Sequence, residues 1–320
     1  MGRKDWLYGR NVVLTGCSTG MGKEVLLILV KKYGCNVMGV ARNKAKLDEL
    51  KAELGDKFSY RRFNISSQEE WYKFAEELKA MNFGVDIVIN NAGMIQPFTQ
   101  YTDLPDDQAM KVINTNLLSI VYSCKAMIPL VKESQFGFIC NVASASAILP
   151  FGGQAIYSAT KGGVNGLTQS LVQELRGYGI GVCSIMPGPV KTDIYKAREG
   201  EAAGQQKADK LVEGQGITAA TAGKRIVNAI GKRKIRVVLD GMAKMMDLGM
   251  RVCPRITVKL VAKAMKGASS FVNSFKPIFA EQIEKKDEIK AKIKGRKAVI
   301  KHDISQVAPG PFANDDLTNV

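Results

Sequence analysis

The sequence predicts an α/β protein built on a doubly wound sheet of seven parallel strands, with helices on both faces. Three observations predict it. Short apolar runs alternate with helix-period segments through the first two thirds of the chain. The runs are almost continuously apolar, as in strands buried on both faces. A glycine-rich turn follows the first run directly, where such a sheet opens its binding crevice.

The elements follow in order. Asn11–Thr15 (NVVLT) is the first strand and Lys23–Lys32 the first helix. Asn36–Ala41 is the second strand. Asn43–Leu54 is helical, with Leu47, Leu50 and Leu54 at helical spacing. Phe58–Phe63 is the third strand, Gln68–Met81 a helix and Val85–Asn90 the fourth strand. Asp107–Val131 reads as one long helix. Phe136–Val142 is the fifth strand, Tyr157–Tyr178 a helix and Ile180–Met186 the sixth strand. Thr221–Ile230 is a helix before the seventh strand, Ile235–Leu239. Right-handed crossovers then wind the sheet in both directions from its centre.

Composition narrows the function. The chain has 320 residues, 46 Lys+Arg, 30 Asp+Glu and one His, for a net charge of +16. Hydrophobic residues at 46% and charged ones at 24% exclude a wholly disordered chain. The lone His302 excludes a His-cluster metal site, and no metal is expected. Six cysteines without a C-x-x-C pair read as buried free thiols of a reducing compartment. The N-terminus lacks the apolar stretch of a signal peptide. The longest uncharged stretch, Ser134–Thr160, is too polar to span a membrane. A cytoplasmic protein is expected.

Residues 224–301 hold 21 basic and 6 acidic side chains and carry nearly all of the excess charge. The expected division is a nucleotide-binding domain over 1–250 and a basic, helical C-terminal extension over 251–320, frayed and polar at its end.

Thr15–Gly22 reads T-G-C-S-T-G-M-G between a strand and a helix. Glycine lets backbone approach a ligand, and a helix N-terminus offers unpaired N–H groups to a pyrophosphate. Gly16, Gly20 and Gly22 are the three singled out. A triphosphate-binding G-x-x-x-x-G-K-[ST] pattern fails, because Cys17 stands where its first Gly belongs and Glu24 follows Lys23. G-C-S-T-G also fits a hydrolase elbow at Ser18, but its base would have to be His302 in a polar tail. The second strand ends V-A-R-N, with Arg42 twenty positions after Gly22 and no carboxylate beside it. That favours a cofactor with a 2′-phosphate, NADP(H).

Tyr157 and Lys161 stand four apart on one helix face. A nearby ammonium favours the phenolate, so such a Tyr can exchange a proton with a carbonyl or alcohol oxygen. Further motifs are N-V-A-S at Asn141–Ser144, N-N-A-G at Asn90–Gly93, N-T-N at Asn114–Asn116 and P-G-P-V-K-T at Pro187–Thr192. With T-G-x-x-x-G-x-G, this set resembles the short-chain dehydrogenase/reductase family over roughly residues 8–240, and implies its Rossmann-like fold.

The resemblance implies that Tyr157 is the catalytic acid/base, and that Lys161 lowers its pKa and binds the nicotinamide ribose. Ser144 would bond the substrate oxygen, with Ser146 a second hydroxyl. Asn116 would hold a water that continues a proton relay from Lys161. Gly16, Gly20 and Gly22 would cradle the pyrophosphate, and Thr192 with the segment before it would meet the carboxamide. Asn90 would shape the sheet on the adenine side, with Ala92 and Gly93 flanking the cofactor. Ser18, Thr19, Met21, Ile65, Asn91, Pro187, Gly188 and Val190 complete the expected cofactor contacts. The third strand departs from the family pattern: Asn64 stands where an Asp usually contacts the adenine amine, and only its amide oxygen can serve.

The pocket positions, Met94, Ile95, Gln96 and Ala145–Gln154, are mostly apolar and suit a hydrophobic alcohol or ketone. Residues 193–216 form either a lid or a solvated loop. Pro254–Lys266 reads as a basic amphipathic helix, which lies weakly on an anionic membrane surface or folds its apolar face onto its own domain. Glu281–Arg296 reads as a further charged helix, and Pro309–Val320 as a frayed terminus. No nucleic-acid module accompanies the charge, so nucleic acid is not an expected partner. The expected function is NADP(H)-dependent interconversion of a carbonyl and an alcohol by a homodimer or homotetramer. The alternatives are a cofactor-sensing or scaffold protein on the same fold, or a lipid ketone reductase held at a membrane surface.

Overall fold

The computed structural model describes residues 5–192, 214 and 216–267, with side chains described as far as Val261. Contacts group Met1–Met265 into one compact unit and Lys266–Val320 into a second. Residues 193–213, Glu281–Arg296 and Pro309–Val320 lie outside the described residues.

The seven-stranded sheet comprises β1 (Asn11–Thr15), β2 (Asn36–Val40), β3 (Phe58–Arg61), β4 (Ile87–Asn90), β5 (Phe138–Val142), β6 (Gly181–Met186) and β9 (Arg236–Val238). All are parallel, in the order β3-β2-β1-β4-β5-β6-β9. A separate two-stranded ladder pairs β7 (Val190–Lys191) with β8 (Ile217–Thr218). The helices are α1 (Gly20–Tyr33), α2 (Lys44–Leu54), α3 (Gln68–Ala80), α4 (Asp106–Ile113), α5 (Ser119–Val131), α6 (Ala155–Leu175), α7 (Ala219–Gly231), α8 (Gly241–Val252) and α9 (Pro254–Gly267).

Alternating strand side chains divide the interior into two cores. Val12 and Leu14 of β1 join Leu26 and Leu29 of α1 and Ile226 and Ile230 of α7. Val13 faces the other way, toward Trp71, Phe74, Met127, Val164 and Leu171 of α3, α5 and α6. Helices therefore cover both faces, as the apolar runs require.

The ends of elements differ from expectation. The first helix begins at Gly20 and not Lys23, so the end of the glycine loop is its first turn. The long helix expected over Asp107–Val131 is interrupted by a π turn at Asn114–Leu118. Helix α8 was not expected at all. Five cysteines are buried free thiols, but Cys253 is exposed in the link before α9.

A buried hydrogen-bond chain ties strands to helices. The Ser123 hydroxyl donates to Asn90 Oδ1 (2.7 Å), and Asn90 Nδ2 donates to Asn141 Oδ1 (2.9 Å). Asn141 Nδ2 donates to Thr168 Oγ1 (3.0 Å), whose hydroxyl donates to the Val164 carbonyl (2.6 Å). Asn141→Leu keeps the volume but orphans the Asn90 amide, a loss of about 1–3 kcal/mol. The urea midpoint should fall with an unchanged slope; an unmoved midpoint would show that the chain adds no stability.

Candidate active site

The crevice opens where strand order reverses, between β1 and β4. Thr15 Oγ1 accepts from the N–H groups of both Asn91 and Ala92, at 3.0 Å each. Asn91 Nδ2 donates back to the carbonyls of Thr15 and Gly16, at 3.2 Å each. Gly16 has φ +67°, and a Cβ there would stand 2.9 Å from Ala92 Cα. A Cβ on Gly22 would come within 2.1 Å of the Gly16 carbonyl, so the loop folds this tightly only as glycine. Thr19 precedes α1 without a side-chain cap bond, leaving first-turn N–H groups to an anion. Asn91 Oδ1 is buried without a partner. This cradle of backbone donors and small residues fits a dinucleotide pyrophosphate. Ser18 and Met21 lie partly buried in the same loop.

Across the crevice stand Ser144, Tyr157 and Lys161. Ser144 lies beside the Tyr157 phenol, near enough to favour its ionised form. Ser144 Oγ also accepts from the Ser146 N–H (3.1 Å) and donates to Ser146 Oγ (3.3 Å). The Lys161 ammonium lies 5.8 Å from the Tyr157 ring centroid and donates to the Val142 carbonyl at 3.0 Å. A Cβ on Gly93 would stand 3.2 Å from Asn116 Oδ1 and 3.5 Å from Lys161 Nζ, so these three groups converge. The Asn116 side chain bridges the Met94 backbone: Oδ1 accepts from the Met94 N–H and Nδ2 donates to the Met94 carbonyl, at 2.8 Å each. Its place in the π turn shifts backbone carbonyls off the α-helical ladder.

Two buried side chains that hold this site were not singled out for that role. Gln96, expected to line the pocket, also caps α6. Its Oε1 accepts from the Tyr157 N–H (2.7 Å), and its Nε2 donates to the Gly153 carbonyl (3.1 Å). Asp240, 5% exposed, accepts from the Gly188 N–H (2.7 Å) and caps α8 through the Ala243 N–H (2.9 Å). A Cβ on Gly188 would fall 2.6 Å from its carboxylate. An Asp-Gly pair after an apolar strand is an N-cap signal, and would have found Asp240.

The expected segment Pro187–Thr192 adjoins both regions. The Pro187 carbonyl accepts from the Ala145 N–H at 2.7 Å, and Val190 pairs with Ile217. The Thr192 methyl would stand 3.1 Å from a Cβ on Gly20. Beyond β2 and β3, away from Tyr157, a cleft of about 810 Å³ is lined by Arg42, Arg62, Asn64, Met110 and Thr115 among others. Asn64 Oδ1 accepts from the Ser66 N–H (3.1 Å), so the oxygen expected to serve adenine is already engaged locally. Ile65 packs against the core around Trp71 and accepts the Trp71 indole N–H at its carbonyl (2.9 Å).

Residues 10–203 match the family model of the short chain dehydrogenases. The chain belongs to the short-chain dehydrogenase family. This is an oxidoreductase family that binds NAD(P). The chain is 34% identical over 198 residues to the human very-long-chain 3-oxoacyl-CoA reductase, a match covering 60% of this chain and 62% of that one. It is 30% identical over 195 residues to the 3-oxoacyl-[acyl-carrier-protein] reductase of Vibrio cholerae, over 61% of this chain and 79% of that one. Among solved structures, a short-chain dehydrogenase from Streptomyces avermitilis superposes with a TM-score of 0.70 at 25% identity, covering 81% of this chain and 98% of that one.

Burial dominates the electrostatics of this site. Desolvation raises the Tyr157 phenol above its ordinary value, and the Ser144 hydroxyl opposes it. Burial lowers Lys161 from 10.5 to about 8. Holding that ammonium costs about 3 kcal/mol at neutral pH. Lys161→Met removes the cost but orphans the Val142 carbonyl, which gives back about 1 kcal/mol. The variant should therefore melt several degrees higher at pH 7. From about pH 8 to 10.5 the folded wild type releases this proton while the unfolded chain keeps it. Wild-type stability rises there and the gap should close. A variant less stable than wild type at pH 7 would contradict the argument.

Proposed function

We propose that the protein is an NADP(H)-dependent oxidoreductase that interconverts a carbonyl and an alcohol on a hydrophobic substrate. The observation that carries this reading is one desolvated site, beside the glycine cradle, that gathers the Tyr157 phenol, the Ser144 hydroxyl and the Lys161 ammonium. Gly16, Gly20 and Gly22 would hold the pyrophosphate, and Arg42 a 2′-phosphate. When bound, the nicotinamide supplies or takes up hydride. Ser144 holds the substrate oxygen by its hydroxyl, and Tyr157 gives that oxygen a proton or removes one. Lys161 favours the phenolate through its charge and contacts the nicotinamide ribose. Asn116, held by its two bonds to the Met94 backbone, would keep a relay water in place beside Lys161.

Sensing or scaffolding needs no phenol, hydroxyl and ammonium gathered for proton exchange, which weighs against that alternative. Two relatives are named as 3-oxoacyl reductases, so 3-oxoacyl thioesters are the first substrates to test. NADPH oxidation should be seen with them or with other hydrophobic ketones, faster than with NADH. Tyr157→Phe should lose about 100-fold or more of turnover and keep its affinity for NADPH, followed by nucleotide fluorescence. A variant that keeps most of its activity would remove Tyr157 from the chemistry.

The protein further acts at an anionic membrane surface. Among the described residues no helix is long and apolar enough to cross a membrane. Met245, Leu248, Val252, Ile256, Val258 and Leu260 of α8 and α9 are exposed, which argues against packing of this apolar face on its own domain. Lys244, Arg255 and Lys259 accompany them, while Arg251 shares the Asp247 carboxylate (3.3 Å) with Arg236 (2.7 and 2.8 Å). Apolar area beside unopposed cations matches an anionic lipid surface. Vesicle co-sedimentation should rise with anionic lipid, fall at high salt, and weaken when Lys244, Arg255 and Lys259 become Gln. Wild type left in the supernatant at low salt would end this idea. Assembly as a homodimer or homotetramer belongs to the same reading and is checked by light scattering.

A further inference from the structure

The cleft beyond β2 and β3 has a second cation that the family motifs do not point to. Arg62 Nε donates to the backbone carbonyl of Arg42 at 3.0 Å, and both residues line the cleft. Both are exposed, and among the described residues neither the Arg42 guanidinium nor the terminal nitrogens of Arg62 have a hydrogen-bond or ion-pair partner. The nearby carboxylate that could have neutralised Arg62 is engaged elsewhere: Asp48 accepts from Lys44 Nζ at 2.6 Å and from the Tyr60 hydroxyl. Asp107 also lines the cleft, and among the described residues no ion pair joins it to either arginine. Two guanidiniums anchored to one backbone segment repel each other, and that arrangement becomes favourable when an anion sits between them. A phosphate monoester accepts from two such forks at once.

The geometry points to Arg62 as a second direct ligand of a 2′-phosphate, sharing it with Arg42 and setting the preference for the phosphorylated dinucleotide. The inference rests on the proposed use of NADP(H). It gives the 2′-phosphate site two walls, one from the end of β2 and one from the segment after β3. The bond from Nε to the Arg42 carbonyl fixes the stem of Arg62, so little side-chain freedom is left to lose on binding.

Isothermal titration calorimetry on the full chain tests it without turnover, using adenosine 2′,5′-bisphosphate and 5′-AMP as probes. Wild type should bind the bisphosphate at least about tenfold tighter than 5′-AMP. Arg62→Gln should cut that ratio several-fold while 5′-AMP affinity holds, which also shows that the adenosine site is folded. Arg62→Lys keeps the charge without the fork and should fall between. The decisive comparison is the Arg42→Gln background. If Arg62 touches the phosphate itself, adding Arg62→Gln lowers the ratio again, toward one. If the double variant matches Arg42→Gln alone, Arg62 only positions its neighbour and the inference is wrong. If Arg62→Gln keeps the wild-type ratio while Arg42→Gln loses it, the inference fails and the cofactor reading stands. A wild-type ratio near one overturns both.

Discussion

The site depends on a line of buried amides that crosses the sheet. Ser123, Asn90, Asn141 and Thr168 hand one hydrogen bond to the next from α5 through β4 and β5 to α6. Apolar packing between parallel strands and their covering helices tolerates sliding. Directional bonds in a dry interior do not tolerate it, because a slip of one position leaves polar atoms unpaired. The line fixes the register of α6 against β5, and with it the height of Tyr157 and Lys161 above Ser144. It also explains two Asn residues at neighbouring strand positions, since Asn90 pairs with Asn141 in the ladder.

Burial then acts on the two titrating groups in opposite directions. It pushes the phenol up and the ammonium down, and both shifts favour the neutral pair. The Ser144 hydroxyl opposes the first shift, and the Val142 carbonyl receives the ammonium at 3.0 Å. The fold thus holds the Tyr157 phenol away from its ionised form by default, and any further charge placed in the crevice acts on that balance in a medium of low dielectric. The same burial makes Lys161 a liability for stability, which is why a residue of this kind points to chemistry more than to architecture.

The seven strands, their parallel sense and the helices on both faces were legible because burial on both sides writes itself into each strand as a continuous apolar run. The residues of the crevice were legible because their spacing along the chain is tied to strand ends. What spacing does not carry is direction. The long helix through Asn116 reads as regular, since a π turn leaves the apolar period almost unchanged. Gln96 sits among pocket positions in the sequence, yet its side chain turns back to the first turn of α6. Arg62 lies next to Arg61, and only the structure separates them: Arg61 pairs with Glu77 at 2.8 Å, while Arg62 turns to Arg42. The exposed face of α8 and α9 is equally silent, because the same amphipathic pattern describes a helix packed on its own domain.

The two ends of the crevice are built from different materials. At the end beyond β2 and β3, Arg42, Arg62 and Asn64 are exposed, and Arg62 and Asn64 bond to the backbone. On the chemical side, Lys161, Ser144 and Asn116 are buried. Charge–charge attraction at an exposed site is screened by water and salt, so it tunes affinity and choice of partner by modest factors. Charge placed near a buried group acts with little screening and changes its protonation outright. Recognition can therefore vary at one end without disturbing proton transfer at the other. The segment from Pro187 to Thr192 spans the two. Asp240 holds its Gly188 N–H, Ala145 holds its Pro187 carbonyl, and Thr192 packs against Gly20 of the pyrophosphate cradle. That segment ties the glycine loop at one end of the crevice to the strand end that carries Ser144 at the other.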